Sequence, residues 1–262
     1  MAYDYRGRVA IVTGASSGIG RAVALDLASR ETTVVAVARR EDLVTAVAEE
    51  CRRTAPESHA VVADVSDRQS VESFAREALD RHGRVDILIN NAGMPMRVHA
   101  TRLTVEDVER VMAVNFMGAV YATLALLPSM AERREGHIVN VSSVAGRVGS
   151  PREGAYSASK YALSGWSEVL AADLRDTGVK VHLVIPGAIR TEIWEKVQEP
   201  PSFSGKFEPA EAVSKAILDA IEHDRFEVWV PRRLKPAGLV RALAPGAYVK
   251  AIARYDKRAE RR

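Results

Sequence analysis

Two hydrophobic patterns alternate along this chain. Short β-branched runs predict buried strands at residues 8–13, 32–38, 59–65, 85–89, 137–141, 179–185 and 226–230. Between them, apolar residues return every three or four positions, the spacing of a helix with one face on a core. One such stretch comes after residue 20 through Val23, Leu27 and Ala28. Others run over 41–54 (Leu43, Val44, Val47, Cys51), 67–82 (Val71, Phe74, Ala78, Leu79), 104–134, 155–176 (Leu163, Trp166, Leu170, Leu174) and 209–223. Thr104 with Asp107 has the spacing of an N-terminal capping pair. Strands alternating with helices predict one α/β domain, a parallel sheet of about seven strands with helices on both faces. Ligands of such sheets bind beyond the carboxyl ends of the strands. Gly14, Arg39, Asp64, Asn91, Ser143 and Gly187 each come just after a strand, so all six fall on that edge.

Composition changes this picture little. The 262 residues suffice for one large core, and 47% hydrophobic with 27% charged residues is ordinary for a soluble globular chain. A single cysteine, Cys51, gives no internal disulfide framework and fits a reducing compartment. No uninterrupted apolar run reaches the length of a membrane span, and residues 1–8 are too short and polar for a signal peptide. The expected location is cytoplasmic. No metal is expected.

Charge changes it more. The net +3 conceals a basic end: residues 231–262 hold ten Lys/Arg and two Asp/Glu, a net +8, which leaves the body at −5. An acidic body does not suit a nucleic-acid binder. The chain therefore divides into a main unit over 1–230 and a basic extension over 231–262. In the extension Leu234, Leu239, Val240, Leu243 and Ala244 are interspersed with Arg233, Lys235 and Arg241, while Pro236, Pro245 and Gly246 break any long helix. Packing on the body or on another subunit is its first expected role. Peripheral contact with an anionic membrane is the second, and a disordered end the third.

The candidate chemistry lies in short motifs. Gly14, Ser16, Ser17, Gly18, Ile19 and Gly20 form a glycine-rich turn between a strand and a helix, the setting of a dinucleotide-binding loop. The turn lets the backbone approach a pyrophosphate, and the helix N-terminus favours its charge. The second strand ends in Arg39-Arg40 with no acid before Glu41. In a Rossmann-type unit an arginine there accommodates the 2′-phosphate of NADP, whereas an acid holds the ribose of NAD. Asp64 with Val65 ends the third strand, placed to accept from an adenine amino group or to cap the next helix. Asn90-Asn91-Ala92-Gly93 comes after the fourth, where amides can fix the floor of a crevice. Asn115 sits inside an apolar helical pattern and must find partners there, marking a kink, a bound water or a satisfied core amide. Tyr156 and Lys160, four apart, share a helix face, and a nearby ammonium lowers a phenol's pKa toward general acid/base use.

Together these residues closely resemble the short-chain dehydrogenase/reductase family, over about residues 7–231. The resemblance implies a Rossmann-type doubly wound sheet and interconversion of a carbonyl and an alcohol with NADP(H) preferred over NAD(H). It implies Tyr156 as general acid in reduction and base in oxidation. Ser143, rather than Ser142, would hold the substrate oxygen. Lys160 would bind the nicotinamide ribose and lower the Tyr156 pKa, and Asn115 would position a relay water. Pro186, Gly187, Ile189 and Thr191 would meet the nicotinamide end, and Asn91, Ala92 and Gly93 would lie along the cofactor. A homodimer or homotetramer is implied, packed through helices around 105–133 and 155–176. One departure is Glu31, where family members commonly carry glycine.

The substrate is a small carbonyl or alcohol compound in this reading. Met94, Pro95, Met96, Val144, Ala145 and Trp194 flank the motifs and can line an apolar pocket, beneath a loop over 198–207. Arg97, Arg147 and Arg152 suggest an acidic substrate group, hence a 3-oxoacyl thioester reductase as the alternative. A cofactor-sensing or scaffold protein without catalysis is the rival of another class. Intact Ser143, Tyr156 and Lys160 speak against it.

Overall fold

The computed structural model describes residues 3–192 and 206–259. Seven parallel strands, β1 (Val9–Thr13), β2 (Thr33–Ala38), β3 (His59–Val62), β4 (Ile87–Asn90), β5 (Gly136–Val141), β6 (Val179–Pro186) and β7 (Glu227–Val230), form one sheet in the order β3-β2-β1-β4-β5-β6-β7. The order reverses between β1 and β4, and the crevice of a doubly wound sheet opens at such a switch point. Helices α1 (Gly18–Ala28), α2 (Glu41–Arg52) and α7 (Ala210–Glu222) cover one face. Helices α3 (Arg68–His82), α5 (Gly118–Arg133) and α6 (Gly154–Asp173) cover the other, and α4 (Val105–Met112) precedes α5. Along β1, Ala10 and Val12 enter the first core while Val9 and Ile11 enter the second. Burial on both faces explains why the strands read as unbroken apolar runs.

The expected elements are all present, with shifts at their ends. β3 stops at Val62, short of the expected 65, because the Asp64 carboxylate accepts from Ser66 N (2.9 Å) and Ser66 Oγ (2.7 Å) and turns the chain. Asp67 is the cap of α3, accepting from Gln69 N and Ser70 N. Thr104 and Asp107 form the reciprocal capping box of α4. The single helix expected over 104–134 is divided by one π-helical segment, Ala113–Met117, centred on Asn115. Within Val105–Arg133 an 18-residue stretch reaches a mean hydropathy of 1.7, enough in length and composition to cross a membrane. Its apolar face is spent instead on the sheet, with Ala122, Leu126 and Met130 in the second core. Glu31 takes a left-handed φ of 61°, which explains the usual glycine there.

The basic extension is folded over residues 232–259. Pro236 opens α8 (Lys235–Leu243), and α9 (Pro245–Ala259) begins at the second proline. Both pack on the body: Tyr248 Oη donates to Gly149 O, and the Arg241 guanidinium lies 5.3 Å from the centre of the Tyr161 ring.

One buried pair in the sheet has a measurable consequence. His137 and His182 stack with ring centres 5.2 Å apart, and His137 Nδ1 lies 2.9 Å from His182 Nε2. His182 Nδ1 faces Arg225 O at 2.9 Å, so it carries the proton and Nε2 accepts from His137. Burial pulls His137 down to about 3 and His182 below the ordinary imidazole range. The unfolded chain binds these protons near pH 6.5, and the folded chain resists them to lower pH, His137 down to about 3. Stability therefore falls as pH drops below about 6.5, by up to about 1.4 kcal/mol per pH unit for each histidine. Urea titrations between pH 7 and 5 should show this slope, and it should flatten in His137→Gln. An unchanged slope in that variant assigns the acid sensitivity elsewhere.

Candidate active site

A crevice of about 620 Å³ opens along the carboxyl edge of the sheet. One wall is the turn from β1 into α1. Gly14 and Gly18 take left-handed φ values of 67° and 55°, which favour glycine. A Cβ on Gly18 would come within 2.8 Å of Thr191 Cγ2, so the loop after β6 closes directly over the turn. Ser17 caps α1 without a side-chain bond to it, and no acid occupies the first turn. The first N–H groups of α1 thus remain as donors for an anion.

The two arginines after β2 part company. Arg40 is tied down: its guanidinium donates to Ser16 Oγ (3.1 Å), Ser17 Oγ (2.7 Å) and Glu192 Oε2 (2.8 Å). It braces the glycine turn. Arg39 stays 66% exposed in its side chain, 3.5 Å from Asp64 Oδ2. Burial acts to raise the Asp64 carboxyl, but the Ser66 bonds and the Arg39 charge outweigh it and hold it below the usual carboxylate range.

The floor is made of amides. Asn91 Nδ2 donates to Thr13 O at 2.9 Å and Gly14 O at 3.3 Å, clamping the loop after β4 to the turn after β1. Asn90 Nδ2 donates to Asn140 Oδ1 at 2.8 Å and Thr123 Oγ1 at 3.2 Å beneath it. Asn115, 1% exposed, accepts from Met94 N at 2.7 Å and donates to Met94 O and Ser159 Oγ, both at 3.1 Å. It holds the Gly93–Met94 loop against α6. A cavity of about 10 Å³, about the room for one water, is lined in part by Thr13, Asn90 and Asn115.

Ser143, Tyr156 and Lys160 meet on the opposite wall. Ser142 is committed to the interior, donating to Lys160 O (3.1 Å) and sharing a bond with Ser164 Oγ (2.9 Å). Ser143 caps a 3-10 turn (Val144–Gly146), accepts from Ala145 N, and lines the crevice with the Tyr156 phenol, whose pKa it acts to lower. Lys160 Nζ donates to Val141 O at 2.8 Å and lies 5.9 Å from the Tyr156 ring centre. Burial pulls Lys160 down to about 8. Burial also pushes Tyr156 up to about 12, with Ser143 acting downward and Glu153 upward. In the protein alone burial thus dominates the Tyr156 phenol, while Lys160 Nζ is directed at the Val141 carbonyl.

Of the residues singled out in the sequence, nearly all line this one crevice. Gly20 and Asn115 stand just behind its surface, and Trp194 lies outside the described residues, as does most of the loop over 198–207. Met94, Pro95, Met96, Val144 and Ala145 supply apolar wall. Of the three arginines suggested for an acidic substrate group, only Arg97 lines the crevice, and its guanidinium is paired with Glu153 Oε1 at 3.0 Å. Arg147 is held by Glu168 and Glu227. Sequence reasoning missed Leu234, Tyr248 and Ile252, which reach the crevice from the basic extension. The i, i+4 spacing of Tyr248 and Ile252 inside a cationic helix was the available signal.

A dinucleotide fits this arrangement: a glycine turn with unspent helix N–H groups, an exposed arginine at the ribose end, and hydroxyl and ammonium groups at the other. The chain matches the short chain dehydrogenase family over residues 8–202. It is a member of the short-chain dehydrogenase/reductase family of oxidoreductases.

Two relatives illustrate the range. The "Dehydrogenase/reductase SDR family protein 7-like" of Anopheles gambiae is 36% identical over 92% of this chain and 81% of its own. The "3-oxoacyl-[acyl-carrier-protein] reductase FabG" of Thermotoga maritima is 33% identical over 81% of this chain and 89% of its own. A Burkholderia phymatum short chain dehydrogenase/reductase solved in complex with NAD superposes with a TM-score of 0.85 at 29% identity, covering 92% of this chain and 95% of that one. An alcohol dehydrogenase from the archaeon Thermococcus sibiricus complexed with 5-hydroxy-NADP gives 0.76 at 26% identity, covering 85% and 95%.

Proposed function

We propose that this protein is an NADP(H)-dependent carbonyl reductase or alcohol dehydrogenase acting on a small substrate, with residues 1–230 as the catalytic unit. The observation that carries the reading is the grouping of Ser143, Tyr156 and Lys160 on the crevice wall opposite the glycine turn. A bound nicotinamide supplies or accepts the hydride. The chain's own residues handle the oxygen and its proton. Ser143 Oγ donates to the substrate oxygen and steadies charge developing on it. The Tyr156 phenol gives its proton to that oxygen in reduction and takes it back in oxidation. Lys160 keeps a positive charge near both and binds the nicotinamide ribose. Asn115 sets the loop and the water through which the proton is replaced. The glycine turn, Asp64, Val65, Asn91, Ala92 and Gly93 hold the remainder of the cofactor, and Pro186, Gly187, Ile189 and Thr191 its nicotinamide end. The enzyme works in the cytoplasm as a homodimer or homotetramer, an arrangement supported by exposed Leu124 on α5 and Val169 on α6.

Arg39 supports NADP over NAD, because it is exposed at the tip of β2 while Arg40 is engaged with Ser16 and Ser17. A guanidinium–phosphate bond contributes about 1.5–3 kcal/mol. Arg39→Asp should therefore weaken NADPH use by about 10- to 100-fold relative to NADH, measured as kcat/KM for each. An unchanged ratio removes Arg39 from the reading.

The defining experiment monitors nicotinamide absorbance with NADPH and NADH against aldehydes, ketones, quinones and 3-oxoacyl thioesters. NADPH-selective turnover supports the reading. The likeness to a 3-oxoacyl carrier protein reductase favours a thioester as the second reading, and a carrier thioester outcompeting free ketones would establish it. Tight NADPH binding without turnover across the panel would instead favour a sensor.

A further inference from the structure

The α8–α9 hairpin presents an apolar surface that the fold leaves unused. Among the described residues nine large hydrophobic side chains are exposed, and four of them fall within residues 239–249. Leu239, Val240 and Leu243 are 62, 58 and 77% exposed and share one side of α8 at i, i+1 and i+4 spacing. Val249 on α9 is 59% exposed. The other five are spread singly over α2, β3, α4, α5 and α6. Residues 232–255 also hold six Arg/Lys and no Asp or Glu.

This surface belongs to an ordered element. Tyr248 bonds Gly149 O, Arg241 lies over Tyr161, and Arg233 pairs with Glu208 at 3.1 Å. The inner side of the same hairpin contributes Tyr248 and Ile252 to the crevice, beside Leu234 just before it. One side of the hairpin therefore faces the site and the other offers leucine and valine framed by cations.

We propose that the α8–α9 hairpin docks the protein on an anionic lipid surface. Charge selects this occupant. A second copy of the chain meeting the hairpin face to face would oppose like cations. Anionic headgroups complement Arg232, Lys235, Lys250 and Arg254, while short apolar side chains enter the headgroup boundary, the mode of an interfacial amphipathic helix. The nine residues of α8 are too few to span a bilayer, so the contact is peripheral. The docking does not depend on the reaction proposed above.

The test is sedimentation of the full-length protein with phosphatidylcholine vesicles, with and without phosphatidylserine. Wild type should partition to the anionic vesicles at least about tenfold more strongly than to neutral ones. Leu239→Ser/Val240→Ser/Leu243→Ser and, separately, Lys235→Glu/Lys250→Glu/Arg254→Glu should each abolish this, with circular dichroism and thermal melting unchanged. Soluble poly-glutamate should not displace wild type from the vesicles. A wild type that stays in the supernatant overturns the proposal. So does binding that survives the serine variant, which would be charge attraction alone. Displacement by poly-glutamate would reassign the face to an acidic protein and likewise overturn it. If either variant misfolds, quenching of a fluorophore on a cysteine introduced at Val249 by bromine-labelled anionic lipid replaces it. Absence of quenching overturns the proposal.

Discussion

Tyr156→Phe should lower turnover by about 10²- to 10⁴-fold, the range for loss of a general acid/base, while leaving NADPH affinity within a few fold. The substitution keeps the ring that packs beside Met96, Val111 and Ala155 and removes only the phenolic oxygen. That oxygen is the group whose pKa Ser143 acts to lower, and both residues line the crevice. A Ser143→Ala variant should lose activity by a similar mechanism and add little to the double variant, because the two act on one substrate oxygen. Steady-state kinetics with fluorescence titration of NADPH separates the two effects. Turnover within about threefold of wild type would remove Tyr156 from the chemistry, whatever the cofactor preference.

The same residues set an expected pH profile. With the phenol at about 12 and the Lys160 ammonium at about 8, the neutral-pH protein holds a protonated tyrosine beside a charged lysine. That state is competent to donate a proton, so it suits reduction. Rising pH removes the Lys160 charge above about 8 before it ionises the tyrosine. Reductive turnover should therefore hold below about pH 8 and decline above it. The sequence suggested a phenol already lowered by its neighbour. Periodicity put the two side chains on one face, but it could not show that Lys160 Nζ donates to Val141 O or that burial dominates both groups.

Other features divide along the same line. The seven strands and their helices were legible, because strands buried on both faces leave apolar runs. The clustering of Gly14, Arg39, Asp64, Asn91, Ser143 and Gly187 was legible too, because a parallel sheet puts the residues after its strands on one edge. The capping pair Thr104–Asp107 was legible because both partners are local. Long-range partners were not. Nothing in the sequence separates Arg39 from Arg40, yet one is exposed and the other braces Ser16 and Ser17. Ser142 and Ser143 differ only through Ser164 and Lys160, about 20 residues away. The tail's packing on the body was the first expectation for it. That Tyr248 and Ile252 enter the crevice depends on a contact with Gly149, 99 residues earlier, that no local pattern encodes.

Gly20 offers the sharpest steric test of the cofactor loop. A Cβ there would lie 2.2 Å from Gly14 O and 2.5 Å from Asn91 Nδ2. Both are fixed: Gly14 begins the left-handed turn, and Asn91 Nδ2 is bonded to Thr13 O. A methyl group must push α1 away from β1 and carry the helix N-terminus out of line with the glycine turn. Gly20→Ala should cost about 1–3 kcal/mol of stability, the range for overpacking. It should weaken NADPH binding by at least about 100-fold, since the helix N–H groups no longer converge on the pyrophosphate. Gly83→Ala is the matched control. Gly83 also has a positive φ, 70°, but a Cβ there meets nothing within 4 Å. It should lose about 1 kcal/mol from backbone strain and keep full cofactor affinity. If Gly20→Ala bound NADPH as tightly as Gly83→Ala, close approach of helix to strand would not be what builds the site, and the glycine turn would be a fold element alone. A selective loss at Gly20 ties cofactor binding to the contact between Gly14, Gly20 and Asn91, three residues brought together by β1, α1 and β4.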